Sequence, residues 1–443
     1  MQWSRGYENL RTYVRFAFWL THKRIVVTGL ENIPKDKPVI FAANHQNALM
    51  DPLALVCTNP LQTLWLTRAD IFKTKAIADV LKFLKMIPIY RIRDGKDNLS
   101  NNEEIFNQVT LTLESKQSVA LFPEAAHSGR RQMLSHKKAI PRIAFETEEK
   151  NNFQLELQVV PVGIFYDHYW KFNRTLLVQY GMPLEIDAFK DRFAENQQNA
   201  MLALRDQIHE RIEPLVMQIN SVDHYADYED IRRVAGKEYA KKTFFSSNPV
   251  VQLFKAEQEL IAKTEKLEAG QPDVFKQVKD KTHLYIKTIR TTGLMDEQLV
   301  KALNTSLLLL LVQFIGALLA FPLFLFGFLT NAFPYFIPRL FITRKLKDKA
   351  FVSSFNFAVG LVLFPVCYLI EFGLIWICSG SFPAALISII LMPFAGKAAF
   401  NLLLFYQVLL QVLRLKLVNR KLFLKCKNLR SDVIKTIEKY TSF

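Results

Sequence analysis

The sequence predicts an α/β domain, a mixed central sheet flanked by helices, followed by an α-helical extension and C-terminal transmembrane helices. Three observations carry that prediction. Short, nearly all-apolar β-rich runs alternate with helical stretches over residues 24–220, as strands buried on both faces of a sheet require. Residues 221–301 are polar with a helical period, and beyond residue 302 the chain becomes almost uncharged for long stretches. The expected boundaries are therefore an interfacial amphipathic helix at 1–23, an α/β domain at 24–220, a soluble helical extension at 221–301, transmembrane or re-entrant helices at 302–413 and a basic cytoplasmic tail at 414–443.

The N-terminal 20 residues interleave Arg5, Arg11 and Arg15 with Tyr7, Leu10, Tyr13, Val14, Phe16, Phe18, Trp19 and Leu20. The stretch lacks the uninterrupted apolar core and small-residue cleavage site of a secretory signal, and reads as an amphipathic helix lying in a lipid interface, the alternative being simple packing on the following domain. Strands are predicted at 25–28, 39–43, 63–67, 87–90, 119–122, 158–163 and 176–180, with a helix at 99–114 among the intervening segments. In the extension, Asn248-Pro249 and Gly270-Gln271-Pro272-Asp273 mark helix boundaries.

Residues 304–342 carry Arg339 as their one charge, and Pro322, Gly327, Asn331, Pro334 and Pro338 predict a bent or re-entrant helical hairpin. Residues 351–378 and 382–413, joined by Ser379-Gly380-Ser381, each exceed the roughly 20 residues a helix needs to cross a bilayer core. Glu371 and Lys397 are embedded in them. The loop 339–349 and the segment from Arg414 onward are rich in Lys and Arg, which places both on the cytoplasmic side.

The chain has 443 residues, 50% of them hydrophobic, and a formal net charge of +16. Residues 303–443 hold 15 Lys and Arg against four Asp and Glu, so most of the excess lies beside the apolar segments and suits an anionic membrane face. The first 302 residues are nearly balanced, which argues against nucleic acid as a partner. Four scattered cysteines make no disulfide framework, and no Cys/His spacing suggests a metal.

The chemistry concentrates in four blocks. Phe41-Ala-Ala-Asn-His-Gln-Asn-Ala-Leu-Met-Asp51-Pro52-Leu53 follows a strand, and Asp51-Pro52 reads as a helix N-cap with proline at the first helical position. On one helix His45 and Asp51 would lie about 240° apart. With His45 in the loop, the imidazole folds back onto the carboxylate and becomes a general base. Met86-Ile-Pro-Ile-Tyr-Arg91-Ile-Arg93 places guanidinium groups past a strand, suited to a phosphate. Val119-Ala-Leu-Phe-Pro-Glu124 delivers a carboxylate to the same sheet edge, with Arg130, Arg131, Lys137 and Lys138 behind it as an anion site. Val159-Val-Pro161-Val-Gly163 is a strand whose proline requires a bulge or a ligand channel.

The order Asn-His-x5-Asp-Pro, Pro-Ile-x-Arg, Phe-Pro-Glu and Val-Pro-Val-Gly resembles the four motif blocks of the glycerolipid (PlsC-like) acyltransferase family, over roughly residues 30–190. Five residues between His and Asp, where four are commoner, is similar to the subgroup of glycerol-3-phosphate and dihydroxyacetone-phosphate acyltransferases with membrane segments after the catalytic domain. The resemblance implies that His45 deprotonates the acceptor hydroxyl, Asp51 orients His45, Arg91 binds the acceptor phosphate, Glu124 helps position the acceptor and Pro161 lies near the acyl pocket. The family usually has Gly after that Glu, where this chain has Ala125. The function so implied is an integral membrane O-acyltransferase of phosphatidic acid synthesis, its catalytic domain facing the cytoplasm. A fatty acyl group moves from acyl-CoA or acyl carrier protein to glycerol 3-phosphate or 1-acyl-glycerol 3-phosphate, without further cofactor. The oxyanion would be met by backbone N–H groups near the helix after Asp51. The alternative is a non-catalytic lipid-binding membrane protein on the same fold.

Overall fold

A computed structural model describes residues 4–72, 74–90, 101–341, 346 and 350–441, with backbone alone at 101, 341 and 350. Arg91, the expected phosphate ligand, and most of the basic loop 339–349 lie outside the described residues. The chain divides into two units, residues 1–218 with 345–358, and residues 219–344 with 359–443.

The first unit is built on an eight-stranded mixed sheet. Its strands are β1 (His22–Thr28), β2 (Val39–Ala43), β3 (Thr63–Arg68), β4 (Met86–Ile89), β5 (Ser118–Leu121), β6 (Gln158–Tyr166), β7 (Arg174–Tyr180) and β8 (Leu184–Glu185), the last not foreseen from sequence. The order is β1-β7-β6-β2-β5-β3-β4, with β8 also on β6. β6, β2, β5, β3 and β4 run parallel, β7 is antiparallel to β6, and β1 is parallel to β7. Every residue of β2, β5 and β6 is buried, as their unbroken apolar runs demand. Ile40, Ala42, Leu64, Leu66, Val119 and Val159 pack against α4 (Asn101–Glu114), α5 (Ala139–Lys150) and α7 (Gln197–Ile212) to make the core.

Pro161 sits where β6 changes partners on one side. β8 pairs with Gln158 and Val159, β7 with Val162 onward, and Pro161 falls between them. A residue without an N–H fits that gap, and its carbonyl accepts from the Gly181 N–H at 2.8 Å.

The N-terminal segment forms α1 (Arg5–Thr21), which packs one face and exposes the other. Arg11 and Arg15 donate to the carbonyls of Cys57, Asn59 and Leu61, at and beyond the end of α2 (Met50–Thr58), where uncompensated carbonyls favour cations. Tyr13, Phe16 and Trp19 face outward, the stripe expected of an interfacial helix.

In the second unit α8 (Tyr225–Lys242), α9 (Pro249–Gly270) and α10 (Pro272–Arg290) pack with one another, and the two proline boundaries fall where predicted. The segment expected as a basic tail is instead α16 (Arg420–Thr441), packed on α8, α9 and α10 through Cys426, Val433 and Ile437. Its charges are partly spent on that packing: Arg430 donates to Asp296 at 2.8 Å, and Asp432 and Glu438 pair with Lys281 and Lys242.

Among the described residues three helices are long and apolar enough to cross a bilayer: Phe321–Leu340, Phe351–Ser379 and Phe382–Val418, with mean hydropathies of 1.3, 2.2 and 1.7. They mark a membrane-associated chain. The first lies within α13 (Phe321–Phe341), which runs through Pro334 and Pro338 as a single helix. The sharp bend falls earlier, 114° between α11 (Asp296–Asn304) and α12 (Leu307–Leu319). A Cβ on Gly327 would strike the Ala395 carbonyl, and one on Gly396 would strike Asn331, so small residues let α13 and α15 (Phe382–Leu413) approach closely. Asn331, expected as a break, is held inside α13 by bonds to the Met392 carbonyl and from the Tyr368 hydroxyl.

Candidate active site

The site forms where β2 ends. Asn44 pins the turn by exchanging two hydrogen bonds with the Ile164 backbone of β6, at 2.7 and 3.1 Å. The chain then leaves the sheet, and His45 Nδ1 lies 2.9 Å from Asp51 Oδ2. The same oxygen accepts the N–H groups of Gln46 and Asn47, both at 2.7 Å. Asp51 lies inside the first turn of α2 rather than at the N-cap, which is Leu49; its carboxylate turns back to cap the preceding loop. Three donors on one buried oxygen fix the carboxylate as an acceptor, so Nδ1 carries the proton and Nε2 is left as the base. Nε2 has no partner among the described residues.

The imidazole is also held by rings. Phe122 stacks on it with centroids 4.2 Å apart, and His127 meets it edge-on at 5.6 Å. Behind Phe122 lies Trp65, at 6.2 Å. Sequence reasoning passed over Phe122 and His127, although both stand in or next to the Phe-Pro-Glu block.

Glu124 is 2% exposed and occupied on both oxygens by the N–H groups of His45 and Leu134, each at 2.8 Å. Burial pushes its carboxyl up to about 8 against the pull of those two bonds. The expectation that it contacts the acceptor does not match this placement. It fastens the His45 loop to the turn beyond β5 instead. Ala125 adopts φ +57°, the left-handed conformation that the usual glycine takes freely. Ala48, in the His45 loop, is likewise at φ +41°.

The predicted cations separate. Arg131 is 2% exposed, donates to the Tyr166 and Asp167 carbonyls and lies over the Phe165 and Tyr169 rings, so it is a strut of the fold rather than an anion ligand. Arg130, Lys137 and Lys138 are exposed. Lys138 donates to Gln198 at 3.0 Å and Lys137 to Ser135 at 3.3 Å. Pro161 is buried in the sheet beside Ala42.

The amides expected to meet the oxyanion are engaged. Leu49, Met50, Asp51 and Leu53 donate to Ser354, Asn47, Ala48 and Leu49 in turn. Three polar atoms buried beside the pair have no partner among the described residues: Asp51 Oδ1, Gln46 Nε2 and Asn47 Oδ1. Such clustering of unmet polarity is unusual outside functional sites. Among the described residues no group of His, Cys, Asp and Glu could hold a metal ion.

Residues 24–165 match the sequence model of the family described as Acyltransferase. The chain is 25% identical over 206 residues to a 1-acyl-sn-glycerol-3-phosphate acyltransferase of Borreliella burgdorferi, covering 46% of this chain and 78% of that protein. It is 22% identical over 287 residues to glycerol-3-phosphate O-acyltransferase 2 of Saccharomyces cerevisiae, covering 60% of this chain and 37% of the yeast protein, so the match spans well under half of that relative. Among solved structures, the PlsC 1-acyl-sn-glycerophosphate acyltransferase of Thermotoga maritima aligns with 21% identity and a TM-score of 0.35, over 47% of this chain and 78% of that one. With the four motif blocks in order and His45 joined to Asp51, residues 24–165 of this chain are similar to the acyltransferase family.

Proposed function

We propose that the chain is an integral membrane glycerolipid O-acyltransferase that acylates glycerol 3-phosphate or 1-acyl-glycerol 3-phosphate on the route to phosphatidic acid. The observation that carries this reading is the His45–Asp51 pair, with Nδ1 engaged at 2.9 Å and Nε2 without a partner among the described residues. Nε2 takes the proton of the acceptor hydroxyl as its oxygen attacks the acyl thioester carbonyl. The tetrahedral intermediate collapses to the ester, and the expelled thiolate regains that proton from the imidazolium. Asp51 stabilises the imidazolium between the two transfers. The thioester supplies the acyl group, so no further cofactor takes part.

The acceptor phosphate is met by Arg91, with the exposed Arg130, Lys137 and Lys138 as further cations. The donor is acyl-CoA or acyl carrier protein. The three apolar helices supply the membrane, the exposed face of α1 adds an interfacial contact, and the catalytic domain faces the cytoplasm. The relatives' printed substrates, glycerol 3-phosphate and its 1-acyl form, support the choice of acceptors.

The test offers purified protein labelled acyl-CoA or acyl carrier protein, with glycerol 3-phosphate, its 1-acyl form and dihydroxyacetone phosphate in parallel. Acylated glycerolipid is expected from at least one pairing, and His45→Ala lowers its rate about 10²-fold or more. Free fatty acid as the sole product, or full activity in His45→Ala, overturns the mechanism.

A further inference from the structure

Ser354 lies 305 residues from the His45 loop in sequence, yet its Oγ accepts the Leu49 N–H at 3.1 Å. Leu49 is the N-cap of α2, and its own side chain makes no capping bond, so Ser354 serves an amide in the turn between His45 and Asp51. Ser354 belongs to α14 (Ala350–Ser379), whose residues up to Ala358 group with the first unit. It is not alone there. Ser353 donates to the Tyr169 carbonyl at 3.0 Å, the same carbonyl that accepts Asn47 Nδ2 at 3.0 Å. The Tyr169 hydroxyl in turn donates to Gln46. Phe357 meets Phe18 of α1 edge-on at 5.9 Å. Phe351 meets His127 edge-on at 5.0 Å, and His127 is the ring that abuts His45.

At about 100° per residue, Phe351, Ser353, Ser354 and Phe357 fall within an arc of about 160°, so one side of the helix supplies these contacts. Ser354 at 5% exposure and Phe357 at 7% are packed, whereas Phe351 remains 36% exposed beside the histidines. Ser354 touches the loop directly at Leu49, Ser353 shares the Tyr169 carbonyl with Asn47, and Phe351 reaches the general base through His127.

We infer that the first two turns of α14 complete the acyl-transfer site, with Ser354 and Phe351 as positioning residues that hold the His45–Asp51 loop. The inference rests on the acyltransferase reading above. The centre is thus assembled from residues 24–165 together with a segment far outside them, the opening turns of the most apolar of the three candidate spans. Phe351 also presents its open side to whatever reaches His45, which gives the acyl thioester an apolar wall.

The experiment uses full-length purified protein and the variants Ser354→Ala, Ser354→Thr, Phe351→Ala and Phe351→Tyr. Loss of the hydroxyl in Ser354→Ala is expected to lower kcat about tenfold while KM for both substrates stays within about twofold, and Ser354→Thr returns kcat to within about threefold of wild type. A second readout needs no substrate: the rate at which diethyl pyrocarbonate modifies His45, followed by mass spectrometry of its peptide. That rate is expected to rise about threefold or more in Phe351→Ala and Ser354→Ala, and to stay near wild type in Phe351→Tyr and Ser354→Thr. Unchanged kcat and unchanged His45 reactivity in both alanine variants overturn the inference. A wild-type protein that transfers no acyl group overturns the acyltransferase reading, and the His45 reactivity then still decides whether α14 positions the loop.

Discussion

Each unit buries a knot of ionisable side chains, and the two are built to opposite ends. In the helical unit Arg232 donates to Glu257 at 2.5 Å and to Glu229 at 3.0 Å, with all three side chains at most 10% exposed. Burial alone would lower its pKa, but the two carboxylates outweigh burial and raise it. Each charge there answers another, and the group ties α8 to α9. In the catalytic unit Asp51 and Glu124 are equally buried, yet most of their partners are backbone N–H groups, and the one ring they orient keeps a basic nitrogen available. Buried charge does not by itself mark a site. Carboxyl groups spent on aiming an atom that has no partner among the described residues do.

Substitutions in the two knots should therefore separate stability from turnover. Glu257→Ala strands Arg232 with one partner and should cost about 3–5 kcal/mol of stability, read as a lowered unfolding midpoint of the full chain in detergent, while the folded fraction keeps its kcat. Equal loss of kcat in the folded fraction would erase the distinction. Asp51→Asn should do the reverse, lowering kcat about 10²-fold or more through the wrong tautomer of His45, with the acceptor KM within about threefold.

The same contrast explains what the sequence could reveal. Seven of the eight strands follow from apolar runs and turn residues, because burial on both faces leaves its mark locally. The His45–Asp51 pair is equally local: a loop and the first turn of the next helix bring six residues together. Glu124 was visible as a member of a block but not for its use, since the amides it serves lie 79 and 10 residues away. Arg131 resembled its cationic neighbours until the fold turned it inward onto the Tyr166 and Asp167 carbonyls. The 414–443 segment looked like a basic tail because its Lys and Arg residues conceal the apolar face that packs on α8 and α10. Ser354 carries no local signal, because its partner is fixed only by tertiary structure.

Glu124 offers a pH test of its role in holding the loop. Its folded pKa of about 8 exceeds the ordinary carboxylate value, so between about pH 5 and 8 the folded protein retains a proton that the unfolded chain has lost. The contribution to stability is present below that window and falls as pH rises through it, by up to about 1.4 kcal/mol per pH unit. Above pH 8 it is flat. Glu124→Gln cannot titrate, so the unfolding midpoint should lose this part of its slope. An identical slope in wild type and variant would mean that another group carries it.

The smallest effect belongs to Ala125, on the same turn. Its amide closes the turn to the Phe122 carbonyl at 3.1 Å, and φ +57° puts its Cβ under a strain of about 1–2 kcal/mol that glycine does not feel. Glycine also widens the unfolded ensemble, which returns about 0.4–1 kcal/mol of that gain. Ala125→Gly should therefore stabilise the protein by about 0.5–1 kcal/mol, with kcat within about twofold of wild type, because alanine already holds the backbone shape that the turn needs. Destabilisation would mean that the methyl group makes a contact worth more than the strain. A large change in kcat with little change in stability would move Ala125 from the support of the His45 loop into the path of the acceptor, and so shift the line between the aimed atom and the charges that aim it.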